Sequence, residues 1–319
     1  MQTLSDFWSA VQTWLFENGV QPLLYASGGM DLLEQAYDGV EWFMAGIVEI
    51  ALIASLGLLA ERLLPAEKQI LRGNAQVRLD VVYTLIHRSG LFALLLFLFL
   101  TPLFDALEAA LRMQGIVRPS LEDLLPDNWR HPLFVFGLYL LVLDFVDYWI
   151  HRAQHRWMWW WALHALHHSQ RTMTVWSDNR NHLLDDFLRD VIMATAALLL
   201  GLPPSQYLWV VVLTRLMQSF QHGNLRISMG WLGDRLFVAP WFHRIHHSIA
   251  DDTANAARGH NFAVLFPVWD LIFRTADMRI RYEPTGVADQ LQGRDYGQTF
   301  FAQHWKAVVR MFRSDGKAH

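Results

Sequence analysis

Three compact histidine clusters constrain this chain more than any other feature. Eleven of its fifteen histidines fall between His151 and His260, and most stand as His151/His155, His164/His167/His168 and His243/His246/His247. The first cluster is spaced i, i+4. The other two share the pattern HxxHH, i, i+3, i+4, which on an α-helix puts every ring on one face. Three helices are therefore expected to point eight imidazoles at one centre. A lone histidine on an apolar face is ordinarily a hydrogen-bonded core residue, and histidine is common at bilayer interfaces, but neither accounts for the same five-residue pattern twice. Imidazole suits zinc, copper, iron and nickel, so ligand type alone does not name the metal. A structural zinc closes with about four ligands. Eight or more histidines predict two metals, and two adjacent metals predict chemistry rather than scaffolding.

Composition says where such a centre sits. With 53% hydrophobic and 18% charged residues and a positive mean hydropathy, the chain is too apolar for an ordinary soluble enzyme yet polar enough to carry an aqueous region. A spanning helix needs about 20 predominantly apolar residues, and three stretches approach this: Phe43 to Ala60, whose one charge is Glu49; Val81 to Phe104, with His87 and Arg88; and Leu133 to Ile150, with Asp144 and Asp147. A fourth, Val191 to Leu213, is broken by Gly201-Leu-Pro203-Pro204 and predicts a shallow helical hairpin or one kinked span. The expected fold is all-α: an integral membrane helical bundle with about four embedded segments, capped by a cytosolic helical domain rich in histidine.

Charge sets the expected orientation. Residues 1–40 hold no Lys or Arg, whereas the connection after Glu61 carries Arg62, Lys68, Arg72 and Arg78. The positive-inside rule then places the amino terminus outside and every histidine cluster on the cytoplasmic side. Leu4, Phe7, Trp8, Val11, Trp14 and Leu15 form a helical stripe expected to lie on the outer leaflet, and the segment lacks the basic region of a cleavable signal. There is no cysteine, which excludes disulfides, iron–sulfur clusters and thiolate zinc sites within the chain. No basic cluster suits nucleic acid, and no glycine loop suits phosphate.

At this point the motifs carry a resemblance. Asp147-Tyr-Trp-Ile-His151-Arg-Ala-Gln-His155, His164-Ala-Leu-His167-His168-Ser, Gln221-His222-Gly-Asn224 and Pro240-Trp-Phe-His243-Arg-Ile-His246-His247-Ser resemble the fatty acid hydroxylase/sterol desaturase superfamily of integral-membrane diiron oxygenases. The resemblance covers roughly residues 130 to 280 and extends to Arg180-Asn-His182, Asn261-Phe-Ala and Trp269-Asp270-Leu-Ile-Phe273-Arg-Thr275. The family usually has glycine where this chain has Ala263 and Arg274, and some members have a histidine where it has Gln218. The resemblance implies two iron ions, dioxygen as co-substrate and a lipid hydrocarbon that is hydroxylated, desaturated or cleaved at an ether bond. It also implies an external electron donor, a separate cytochrome b5- or ferredoxin-like protein, since His131-Pro132 is followed by leucine rather than the glycines of a fused cytochrome b5. The alternatives are an alkylglycerol ether-lipid monooxygenase and a zinc-dependent membrane hydrolase or isomerase, and the latter usually places a glutamate base inside its histidine motif, where none stands here. The expected order is an interfacial segment (1–40), a transmembrane hairpin (41–132), a catalytic region (133–282) and a cytosolic tail (283–319).

The expected metal ligands are His151, His155, His164, His167, His168, His182, His222, His243, His246 and His247. Each metal-bound imidazole normally donates its other N–H to a carboxylate or carbonyl, which fixes the tautomer. Asp147, four residues before His151, is expected to fill that role; Asp144, Asp185 and Asp186 are further candidates. Trp157, Trp159, Trp160 and Trp161 are expected to anchor the domain at headgroup depth, and Trp176, Trp241 and Phe242 to line a pocket.

Overall fold

The computed structural model describes residues 2–68, 74–90, 106–107, 109–116, 120–249 and 259–312. Among the described residues the chain is helical, with two isolated β-bridges and no β-strand. It divides into two compact units, Met1–Leu52 with Leu85–Val117, and Ile53–Thr84 with Arg118–His319.

In the first unit, helix α1 (Gln2–Leu15) passes through a π-helical turn into α2 (Gln21–Ser27), and α3 follows (Leu33–Leu52). Only one side of the amino-terminal stripe stays open. Trp8, Val11 and Leu15 pack on Ala36, Val40 and Met44, while Leu4, Phe7 and Trp14 are exposed. The helix thus has a protein-facing seam as well as the apolar face read from the sequence. Gly46 lets α3 approach the Arg88 carbonyl so closely that a Cβ would stand 1.6 Å from its oxygen, and the Arg88 guanidinium pairs with buried Glu49.

In the second unit, α4 (Leu58–Leu63) and the part of α5 (Ala75–Arg88) up to Thr84 precede the long α6 (Pro132–Arg156). Proline at the first helical position starts α6 with no lost hydrogen bond. Val135, Tyr139, Leu143 and Ile150 recur at helical spacing and are buried with Met193, Ala197 and Val210; full burial of each such side chain is worth about 2 kcal/mol. The next helices are α7 (Met158–His168), α8 (Leu183–Leu199) and α9 (Pro204–His222). Of the two readings for the fourth apolar stretch, the hairpin is observed. Both arms feed the same apolar cluster on α6, and Ser219 of the returning arm bonds Asp178, just ahead of the outgoing one. Gly201 makes the turn at φ +71, where a Cβ would stand 2.7 Å from the Ser120 Cα. Helices α10 (Gly230–Leu236), α11 (Pro240–His246), α12 (Val268–Phe273) and α13 (Phe300–Phe312) complete the unit, and the Arg310 guanidinium ties α13 to the Ala162 carbonyl of α7.

Among the described residues two helical runs are long and apolar enough to cross a membrane, Met30–Leu63 and Pro132–Arg156. The apolar stretch from Val81 to Phe104 lies largely outside the described residues.

Candidate metal centre

Nine of the ten expected ligands converge. His151 and His155 from α6, His164 and His168 from α7 and His246 from α11 place ligand nitrogens within 4.8 Å of one another; His167, His222, His243 and His247 form a second such group. The groups abut, with the His168 and His247 rings stacked 4.2 Å apart. Helical geometry explains how two identical motifs serve two centres. In HxxHH the i, i+4 pair lies one above the other along the helix while the i+3 ring is offset around it. Thus α7 sends His164 and His168 to the first group and His167 to the second, whereas α11 sends His246 to the first and aligns His243 and His247 with the second. The i, i+4 pair of α6 completes the first group and His222, the last residue of α9, completes the second.

The outer face of the first group is built from carbonyls and one carboxylate. His151 Nδ1 donates to the Phe262 carbonyl at 2.7 Å, and His246 Nδ1 to the His260 carbonyl at 2.7 Å. Those carbonyls sit on a clamped segment. Asn261 takes φ +56 and bonds Phe242 and Asp277, while Asp270 accepts the N–H groups of Phe262 and Ala263. Asp144, from α6, accepts Leu265 N, Phe266 N and Trp269 Nε1, so it holds this wall rather than a histidine. His164 Nδ1 donates to Asp185 at 2.9 Å, and the other Asp185 oxygen accepts from Gln154 and Trp160.

The donor set fits metal ions. The Nε2 atoms of His155, His164, His168 and His246 are buried with no hydrogen-bond partner. In the second group, His167 and His243 each aim Nε2 at Nε2 of His222 at 3.0 Å, and His247 Nε2 lies 3.1 Å from that of His243. His222 Nδ1 donates to the Gln218 carbonyl, which leaves its Nε2 a single lone pair for two neighbours. Protons cannot satisfy that arrangement. Two imidazole nitrogens bound at about 2.1 Å to one ion stand about 3.0 to 3.4 Å apart, which matches the spacing. Burial first, and the adjacent rings second, hold His167, His168, His243 and His247 well below the ordinary histidine range, and burial pushes His246 down to about 3. The rings are therefore neutral at pH 7, the form that binds metal.

Several expectations need correction. His182 joins neither group: it caps α8, accepting Leu184 N–H at 3.1 Å, and its ring packs on His304. Asp147 does not accept from His151. Its carboxylate takes both nitrogens of a fork from Arg189, at 2.8 and 2.5 Å, and so pins α6 to α8. The carboxylate that does orient a histidine is Asp185, a further candidate from its place just after His182, and the ring it orients is His164, 21 positions earlier. Trp157 and Trp159 are exposed as anchors should be, but Trp160 is buried on Asp185, and Trp161 packs against His155 and His168. Trp176, Trp241 and Phe242 are buried in the core. Gln218 stands in a small polar cavity of about 70 Å³ beside His167, His222 and His243.

Comparison with known proteins agrees with this geometry. Residues 136–275 match the family described as fatty acid hydroxylase. That matched segment holds all nine converging histidines and resembles the fatty acid hydroxylase/sterol desaturase superfamily. It is similar to ornithine lipid hydroxylase OlsE of Rhizobium tropici, 28% identical over 73% of this chain and 66% of the relative. Similarity extends to alkylglycerol monooxygenase of Caenorhabditis elegans (28%, covering 50% of this chain and 31% of the relative) and lathosterol oxidase of Rattus norvegicus (25%, covering 46% of each). The chain thus spans between about a third and two thirds of the length of these relatives. No solved structure matches it. The histidine groups and the apolar helices together mark a metal-dependent, membrane-associated protein.

Proposed function

We propose that the protein is a membrane-bound oxidoreductase that hydroxylates or desaturates a lipid with dioxygen. The observation that carries this reading is the pair of abutting, buried, all-imidazole groups shared between the same helices. The ten expected ligands reduce in this proposal to nine, with His182 excluded. Two iron ions held by these groups would supply the redox chemistry needed to attack an unactivated C–H bond, which offers nothing to a nucleophile or general base.

The chain's own residues do the rest. Imidazole ligates a metal in its neutral form, so the nine rings would bind without adding charge, and the Asp185, Phe262 and His260 oxygens fix which ring nitrogen faces inward. Burial of the rings other than half-buried His155 keeps bulk water from most of the centre. Hydroxylation converts C–H to C–OH with one oxygen of O2, and the second leaves as water, so two electrons must enter from a separate redox protein and two protons from solvent. Neither group includes a carboxylate, which weighs against a zinc hydrolase with a glutamate base beside its ligands. We further propose a multi-pass topology with the histidine groups on the cytoplasmic side and an external amino terminus. Reporters fused at the two ends would give opposite readings from these if the orientation is wrong.

The test is protein purified without added metal, assayed for iron and zinc and for reductant-dependent dioxygen uptake, beside comparative lipid mass spectrometry of cells with and without the gene. About two irons per chain and a lipid that gains one oxygen or loses two hydrogens are expected. Zinc alone, with no dioxygen uptake after iron loading, would sink the reading.

A further inference from the structure

Against the first histidine group opens a cleft of about 740 Å³ whose walls include His155, Trp149 and Phe262 and whose charged lining is Arg152, Arg156 and Arg274. Several other arginines of this unit are paired, Arg180 with Asp80, Arg189 with Asp147, Arg244 with Glu67 and Arg281 with Asp277, while Arg226, Arg235 and Arg310 donate to backbone carbonyls. Among the described residues none of the three in the cleft has a carboxylate within ion-pair distance. Cations at helix carboxy-termini are ordinary, but three from two helices facing one cleft without an ion pair are not; Asp270 lies near Arg152 but is occupied by Phe262 N, Ala263 N and Thr275. Arg274 carries a second signal. It takes φ +58 in the left-handed region, where glycine is at ease and a long side chain is strained. Strain kept at a cleft points to use of the side chain. The cleft also lies at the carboxy-terminal end of Pro132–Arg156, one of the two helices apolar and long enough to span a bilayer, which sets its arginines at the depth of lipid headgroups.

We propose that the cleft receives an amphiphile by its anionic headgroup, a carboxylate or phosphate gripped by Arg152, Arg156 and Arg274, with the attached chain running along Trp149 and Phe262 toward His155. This rests on the lipid-oxidising reading above and narrows it: acidic lipids are substrates, and neutral sterols or ether glycerols are not. Guanidinium groups suit this task because their planar fork matches either oxyanion with two parallel bonds.

Binding tests it without turnover. Dodecanoate, dodecyl phosphate and dodecanol are titrated against the full-length protein in nonionic detergent by displacement of a fluorescent fatty acid. The anionic amphiphiles should bind at least about tenfold more tightly than dodecanol. Arg274→Gly relieves the strained backbone and should fold, yet lose most of that preference; exposed Arg156→Gln should lose part of it. Millimolar inorganic phosphate should not displace the probe. Equal affinity for dodecanol, an unchanged preference in both variants, or displacement by inorganic phosphate as effective as by dodecanoate would each overturn the assignment. Iron content and dioxygen uptake in the same variants report on the oxidoreductase reading separately, so either can fall while the other stands.

Discussion

The two histidine groups are built from the same motifs but are not held alike. In the first, three of five rings are fixed from outside, by the Phe262 and His260 carbonyls and by Asp185. In the second only His222 is, through the Gln218 carbonyl, while the Nδ1 atoms of His167, His243 and His247 are buried without partners. The second group also has one histidine fewer, with Gln218 one turn before His222. An outer partner both orients a ring and raises its basicity. The first site should therefore hold its metal more tightly, and the second should be the exchangeable one.

The strongest test removes one ligand from each group. His246→Ala and His167→Ala should both reduce turnover to background, since paired metals act together. Metal content should separate them: His167→Ala is expected to keep about one ion per chain, and His246→Ala to keep less, because its group is the anchor. Full metal and turnover in both variants would refute the assignment; equal losses would leave the site but erase the asymmetry. Graded chelation checks the same point without mutation, and two equal release phases would count against it.

The next test exchanges one carboxylate oxygen for an amide at two places. Asp185→Asn keeps the shape but weakens the acceptor for His164, Gln154 and Trp160, and should cost about 10 to 100-fold in metal affinity or activity. Asp147→Asn loosens the fork with Arg189 instead. It should lower thermal stability while the metal content of folded protein stays at the parent level. Reversal of the two outcomes would restore Asp147 as the partner of His151.

That pair also shows what could be read in advance. HxxHH announced that three rings share a helix face, and nine of ten expected ligands converge. Which ring serves which group depends on how α6, α7 and α11 cross, and helical spacing does not encode crossing. The i, i+4 proximity of Asp147 is visible in one helix, yet His151 turns its Nδ1 away to a carbonyl 111 positions later. Backbone acceptors such as the Phe262 and His260 carbonyls leave no side-chain signature. Asp185 was in view but could be ranked only once the chain's return brought α8 beside α7. The helical hairpin, in contrast, was announced locally by Gly201-Leu-Pro203-Pro204, because φ +71 and a missing N–H are properties of single residues.

The smallest expected effect concerns the histidine that belongs to neither group. His182 accepts Leu184 N–H at the start of α8, so its Nδ1 must be unprotonated there. Burial, reinforced by His304, pushes it down to about 4. A folded value below the unfolded one means that its contribution is complete above about pH 6.5 and is lost as the pH falls through about 4. Replacement by alanine should cost about 1 kcal/mol through the lost cap and leave bound metal unchanged. Asparagine, a better cap that does not titrate, should restore stability and blunt the decline between pH 6.5 and 4 seen in thermal melts of the parent. If His182→Asn instead releases metal, the ring visits the centre in the loaded protein, and the contrast between five ligands and four would have to be redrawn.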